Sequence, residues 1–409
     1  MATEPSGSTS GGVDPRPTPL AGLRVLDLTN VLAGPYCCYQ LALMGAEVIK
    51  VERPGSGDLA RQLGADPNRN RDDMGISFLA QNASKRSVTL DMKSPDGKAL
   101  LKRLVASADV LVENFRPGVM ARLGLGPEVL RAIRPSLIYC AISGFGQTGP
   151  WRDKPAYDQI VQGISGVMSI TGDADSAPLR VGYPLADTLG GMTAAFAITS
   201  ALNKTPRGGV IDVSMTEAVL SAMGWVVSNH LTGEVAPGTH GNENTTSAPS
   251  GTFATADRPI NIAANRDSQW DSLARHLKRE DLLDHPDYRT REDRKTNRYA
   301  LRAELESVLT TKPAIDWVDA LNALGVPAGP VLTVPEALES DQIKGRGLVG
   351  EIPTATETLR LLGAPVMIDN ARPMPQSPPP RLGGDNAAVW GALGLSPAEL
   401  ADLKSAGVI

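Results

Sequence analysis

From Leu20 onward, patterns of buried strands alternate with helical ones. Gly22–Leu28 (GLRVLDL) reads as a strand covered on both faces, Pro35–Met44 as a helix, and Ala46–Glu52 (AEVIKVE) as a second strand. The connection has the length of a βαβ crossover. A loop with Pro54 and Gly55 follows, then a polar stretch with little periodicity to about residue 80. The pattern then repeats as strand 88–92, helix 95–106, strand Asp109–Asn114, short helices near 118–134 and strand Ser136–Ser143. Strands alternating with helices predict an α/β fold with a parallel, doubly wound sheet. Helices 188–202 and 214–231 come next. Around Ser247 the texture changes to a short hairpin, Thr252–Thr255 and Pro259–Ala263, and then to charged helices as far as about residue 325. Val326–Pro330 reads as a stiff linker. The remaining residues mix strands 348–353 and 358–361, a Pro-rich passage at 372–380 and a helix over 396–405. Residues 1–18 hold almost nothing to bury and are expected to be disordered. The predicted division is thus a tail (1–18), the first part of a large domain (19–228), a small domain with linkers (229–328), and a C-terminal part (329–409) returning to the large one.

Composition narrows the function classes. Hydrophobic residues make up 42% and charged residues 21% of the 409, as in ordinary globular proteins. The net charge is −5 with no Lys/Arg-rich block, which argues against nucleic acid and against an anionic membrane surface. Three cysteines do not make a disulfide framework, and adjacent Cys37 and Cys38 read as packing residues of a helix. Four histidines, at 230, 240, 276 and 285, lack metal-ligand spacing, so no metal site is expected. No secretory signal and no apolar run long enough to span a bilayer are evident, and a cytoplasmic location is expected.

The chemistry-bearing residues fall mostly at predicted strand ends. Asp187 stands in GYPLADTLGGM, ahead of a run of small apolar residues that reads as a buried helix. At a helix start it is expected to stay ionised and to be able to attack an activated acyl group, although N-capping is what most such aspartates do. Arg53 follows the second strand, where open α/β sheets bind ligands, and a guanidinium suits a phosphate; an ordinary surface Arg has the same signature. Lys85, Arg86 and Lys93 flank the next strand and could hold a multiply phosphorylated ligand or simply face solvent. Asn114, Phe115 and Arg116 could take an adenine ring and its phosphates, or form a capped turn. Gly144–Pro150 (GFGQTGP) lacks both GxGxxG and the Walker lysine, which counts against nicotinamide and nucleoside triphosphate enzymes and leaves it as a flexible rim.

Taken together, LAGLRVLDLT at 20–29, GAEVIKVERPGSGD at 45–58, NASKRSVTLDMK at 82–93, VENFRPG at 112–118, AISGFGQTGP at 141–150, AYD at 156–158 and VIDVSMTEA at 210–218 resemble the class III coenzyme A transferase (CaiB/BaiF) family. The resemblance implies a CoA-transferase that works through a covalent aspartyl intermediate, with Asp187 as the catalytic carboxylate. It implies CoA contacts from Arg53, from Leu90, Asp91, Met92 and Lys93, from Asn114, Phe115 and Arg116, from Arg122, and from Tyr157 with Asp158. CoA enters as substrate, with no tightly bound cofactor. The implied fold is a Rossmann-like large domain built from N- and C-terminal portions, with a smaller inserted domain, in a homodimer whose subunits interlock like chain links.

The same family contains α-methylacyl-CoA racemases, whose proton-transfer His corresponds to Tyr157 here. A phenol is a poor base at neutral pH, which favours transfer. Formyl-CoA:oxalate transferases carry Gln at the place of Leu32, and a polyglycine lid where this chain has Ala263–Trp270. These departures point away from formate and oxalate. The chain more closely resembles members that use succinyl-CoA as donor and C4–C6 dicarboxylates, with sulfinate analogues of succinate beside them, as acceptors, and the resemblance implies the same here. Arg180 and Arg266 are candidates for holding a second carboxylate. An acyl-CoA racemase or epimerase and a non-catalytic CoA-binding protein are the alternative readings.

Overall fold

The computed structural model describes residues 18–409. The expected disordered tail therefore lies, apart from Thr18, outside the described residues.

Six parallel strands form the main sheet: β1 (Arg24–Leu28), β2 (Glu47–Glu52), β3 (Lys85–Thr89), β4 (Val110–Glu113), β5 (Ile138–Ser143) and β6 (Gly209–Ser214). Their order is β3-β2-β1-β4-β5-β6. The direction of winding reverses between β1 and β4, which places the ligand crevice beyond the carboxyl ends of these two strands. Strands β4 and β5 are buried throughout, and their near-continuous apolar runs are those of a parallel sheet covered on both faces.

Five helices matter for the site: α1 (Ala33–Leu43), α2 (Pro95–Val105), α3 (Asp158–Ile164), α4 (Leu185–Leu202) and α5 (Met215–Ala222). Ser94 starts α2 by accepting the N–H of Gly97, with Pro95 in the first turn where its missing donor costs nothing. Helix α4 packs on α1, α5, β5 and β6. By length and composition it is the one described helix apolar enough to cross a membrane, with a mean hydropathy of 1.2. That corrects the expectation that no such run exists, because the helix starts at Leu185 rather than at 188.

Three further expectations shift. The third strand spans Lys85–Thr89 rather than 88–92, because Lys85 is buried in spite of its charge. Its ammonium donates to Asp27 Oδ2 at 2.8 Å, Pro35 O at 2.9 Å and Asn82 Oδ1 at 2.9 Å. β6 was not foreseen as a strand, since this half-exposed edge alternates instead of running apolar. The expected helix 214–231 is two helices, α5 and Gly224–Gly233.

The described chain divides into two compact units. The first holds the sheet and comprises residues up to Ser165, Tyr183–Ala222 and Lys344–Ile409. Its core runs from Leu26, Ile49 and Leu111 to Val389, Trp390 and Ile409, so the last residues of the chain complete the core of the first. They also cover the sheet edge: Asp385 Oδ2 accepts the N–H of Ser87 and Asn386 Oδ1 that of Thr89, both at 2.8 Å. Edge donors on β3 are thereby satisfied. The second unit comprises Gly166–Gly182 and Met223–Ile343. Its antiparallel sheet, β7 (Ser250–Phe253), β8 (Ile260–Ala263) and β9 (Ala328–Pro330), packs with Trp270, Leu273, Leu305 and Trp317. The expected linker at 326–330 thus contains a strand, paired to β8.

Candidate active site

Two clefts open beyond the carboxyl ends of the main sheet, and they share Asn30 and Phe115. The loops after β1, β4 and β5 form the first, of about 280 Å³, together with Asp187 and Met215. Loops after β1, β2, β3 and β4 form the second, of about 330 Å³.

Asp187 lies in the first turn of α4. It does not cap the helix. Asp158 does so from α3: its Oδ1 accepts the N–H of Ala186 at 2.8 Å and that of Asp187 at 3.4 Å. The other oxygen of Asp158 accepts Gln162 Nε2 at 2.7 Å. The expectation that the helix start keeps Asp187 ionised is therefore corrected. Burial, and after it the negative charge of Asp158, push the Asp187 carboxyl up to about 7. The N–H groups that would have favoured its charge are taken by Asp158.

The loop after β1 is held from three sides. Asn114 clasps Asn30, accepting its N–H and donating to its carbonyl, each at 2.8 Å. Asn30 Oδ1 accepts the N–H of Leu59 at 2.9 Å. Val31 adopts φ +67°, a strained conformation for a β-branched residue, and donates its N–H to Asp58 Oδ1 at 2.9 Å. Asp58 is itself anchored by Lys50 at 2.8 Å. Lys50 and Lys85 both flank Asp27. Burial would raise the Asp27 carboxyl, but these two ammonium groups overcome it and hold the carboxyl at about 2. A buried charge network thus underlies the strained loop at the cleft.

Of the candidate CoA contacts, Arg53, Leu90, Asp91, Met92 and Lys93 come together in the second cleft, where Phe115 joins them. The displaced third strand explains this, since residues 90–93 lie past its end. Asn114, Phe115, Arg116 and Tyr157 line the first cleft with Asp187. Tyr157 is 68% exposed. Arg122 and Asp158 line neither cleft, and the Asp158 carboxylate is buried against α4. Arg180 and Arg266 belong to the second unit. The Gly144–Pro150 rim is pinned where Gln147 donates its N–H to Asp212. Sequence reasoning passed over Asn30, Val31, Asp58, Arg152 and Lys154. Asn30 and Val31 carried one readable signal, their place just after a parallel strand.

The three cysteines are buried, and burial raises the Cys38 and Cys140 thiols, so they offer no nucleophile.

A model of the CoA-transferase family III matches residues 20–386. The chain belongs to this family. An acetyl-CoA:oxalate CoA-transferase of Acetobacter aceti is 40% identical over 81% of the chain and 85% of its own length. A succinate–glutarate CoA-transferase of Agrobacterium fabrum is 35% identical, over 92% of this family member and 96% of the relative. Among solved structures, a CaiB/BaiF family protein from Brucella suis superposes with a TM-score of 0.81 at 34% identity, covering 92% of this chain and all of that one. The parallel six-stranded α/β architecture is thus that of the CaiB/BaiF proteins, and the enzyme is of the CoA-transferase type, acting on CoA thioesters.

Proposed function

We propose that the enzyme moves CoA from an acyl-CoA donor, succinyl-CoA in the first instance, to a small di-acid through covalent intermediates on Asp187. The observation that carries this reading is the placement of Asp187. A half-buried carboxylate shares one cleft with Arg116, Arg152 and Lys154, and that cleft adjoins a second one with apolar walls, Arg53 and Lys93. Thiol chemistry at one end and adenosine recognition at the other would both be served.

The ionised Asp187 attacks the thioester carbonyl. The C–S bond breaks, giving a mixed aspartyl anhydride and CoA thiolate. The thiolate then attacks the aspartyl carbonyl and releases the donor acid, leaving an aspartyl-CoA thioester. The acceptor carboxylate attacks that carbonyl, forms a new anhydride and frees the thiolate again. Attack of the thiolate on the acceptor acyl carbon yields the new acyl-CoA and restores Asp187. Each step exchanges one activated acyl bond for another. Partial burial supports the chemistry, because a desolvated carboxylate is a stronger nucleophile and its attack needs no loss of bulk solvent. Phe115 serves as a contact on the shared wall, Asn114 as one on the wall of the first cleft, and Arg122 as a cation behind it.

The acceptor is read as a small di-acid because the two relatives above are named for oxalate and glutarate. The oxalate enzyme, at 40% identity, brings oxalate back among the candidates in spite of Leu32. We also read the enzyme as a homodimer. Support comes from Met192 and Phe196 on α4, 40% and 72% exposed, and from Trp225 and Leu231 in the second unit, 80% and 75% exposed. Apolar side chains this open call for a partner surface.

Intact-protein mass after incubation with succinyl-CoA, for wild type and Asp187→Ala side by side, tests the mechanism. A CoA-sized adduct on wild type alone, released by hydroxylamine, is expected. Equal transfer by both proteins would overturn it. Exchange of the α-proton into deuterated solvent without an acceptor would point to the racemase instead.

A further inference from the structure

Four cations gather beside the Asp187 cleft, and Arg152 has been given no role of its own so far. Arg116, Arg152 and Lys154 line the cleft. Arg122 comes to the same place from behind, at Gly118. This glycine has φ +81°, and a Cβ built on it would lie 3.0 Å from Arg122 Nη1 and 3.6 Å from Arg152 Nη2. Two guanidinium groups, one after β4 and one after β5, therefore close over a single bare α-carbon. Among the described residues, neither Arg116 nor Arg122 has a carboxylate within ion-pair distance. Arg152 has only Asp153, at 3.6 Å and largely exposed. Guanidinium groups brought together with only this one exposed acid beside them repel one another, and an anion between them relieves the repulsion. Paired guanidiniums match the oxygens of a phosphate group.

The covalent order of CoA says which phosphate this is. Its thiol must reach Asp187 in the first cleft. Its adenine suits the apolar walls of the second, formed by Leu28, Val51, Leu90 and Met92, where Arg53 and Lys93 stand ready for the 3′-phosphate. Phe115 divides the two clefts. Between adenosine and the pantetheine arm lies the pyrophosphate. Cations on the Asp187 side of Phe115 meet that group and not the 3′-phosphate.

We propose that Arg152, paired with Arg122 across Gly118, grips the pyrophosphate of CoA. This rests on the reading of the two clefts as a CoA site.

The test is calorimetric binding of CoA and of 3′-dephospho-CoA to wild type, Arg152→Ala and Arg152→Lys. The Arg152 side chain is 44% exposed, so the variants should fold, and an unchanged melting temperature checks that. Arg152→Ala should weaken both ligands by the same factor, roughly 10- to 100-fold, as expected for a lost charge-assisted contact. Arg152→Lys should recover part of the loss, since a point charge replaces a fork. KM for succinyl-CoA should rise in parallel while kcat stays within about twofold, because the contact is equal in ground and transition states. Unchanged CoA affinity in Arg152→Ala overturns the proposal. So does a loss seen with CoA but not with 3′-dephospho-CoA, which would put Arg152 on the 3′-phosphate. A wild type that binds CoA through Arg152 yet forms no aspartyl adduct would sink the transfer mechanism and leave the clamp standing. A wild type that binds no CoA sinks both.

Discussion

Asp187 joins two demands that pull against each other. In the proposed cycle it must lose its proton to attack a thioester, yet its surroundings hold that proton up to about pH 7. Activity before CoA binds should therefore rise with pH through about 7, read as kcat/KM against pH at saturating acceptor. The same shift has a stability consequence. The ordinary carboxyl value is 3.8 and the folded one is higher, so the folded protein holds this proton more tightly than the unfolded chain does. The contribution to stability is complete below about pH 4 and disappears as pH climbs through about 7. Asp187→Asn keeps the shape and removes the titration. It should melt about 2–5 °C above wild type at pH 8, with the gap narrowing as pH falls and closing near pH 4, by scanning calorimetry. It should also lose transfer by about a thousandfold or more, since an amide is no nucleophile. A variant that melts with wild type at both pH values would mean that Asp187 is not desolvated. The sequence singled this residue out but misjudged its charge state. Burial decides it first, and the second contributor, Asp158, lies 29 positions away and reaches α4 only through the fold.

Among the elements, α1 and α4 form the frame that brings Ala33 and Asp187 to one cleft. Their close approach depends on Gly191, where a Cβ would lie 2.4 Å from the Ala33 carbonyl oxygen. Gly191→Ala must push the helices apart and should cost roughly 1–3 kcal/mol, measured by denaturant unfolding. Transfer should fall with it, because the cleft wall moves relative to Asp187. Wild-type stability in this variant would show that the helices have room to spare. Most helices and strands were legible from periodicity, and β1, β2, α2 and β5 lie within two residues of where the pattern put them. β3 was displaced because hydropathy treats Lys85 as a surface residue, whereas Asp27, on a strand 58 residues earlier, neutralises it in the interior. The same cause hid Lys50, Asp58 and the strained Val31 loop. Each is decided by a partner remote in sequence.

At the scale of the whole molecule, chain ends and assembly matter. Val389, Trp390 and Ile409 fill the core under the sheet, and Asp385 and Asn386 close the β3 edge. Deleting residues 384–409 should therefore leave the protein unable to fold to a soluble form, as judged by expression and gel filtration, although the deleted segment lies outside both clefts. A soluble, cooperative truncated protein would refute this. Sedimentation of the full chain should give a dimer, and Phe196→Glu should shift it toward monomer; a wild-type monomer at micromolar concentration would discard the dimer reading. Local pattern alone determined the α/β class, most element positions, the family, and Asp187 as the residue to watch, because periodicity and short motifs are properties of neighbouring residues. Only the tertiary structure decided that Asp158 rather than Asp187 caps α4, that Lys50 and Lys85 are interior cations, and that Arg152 meets Arg122 over Gly118. It also decided that the last residues of the chain finish the core of the first. The physical reason is common to all of these. Burial and charge are set by what stands within a few ångströms in space, and these partners are separated by tens to hundreds of residues along the chain.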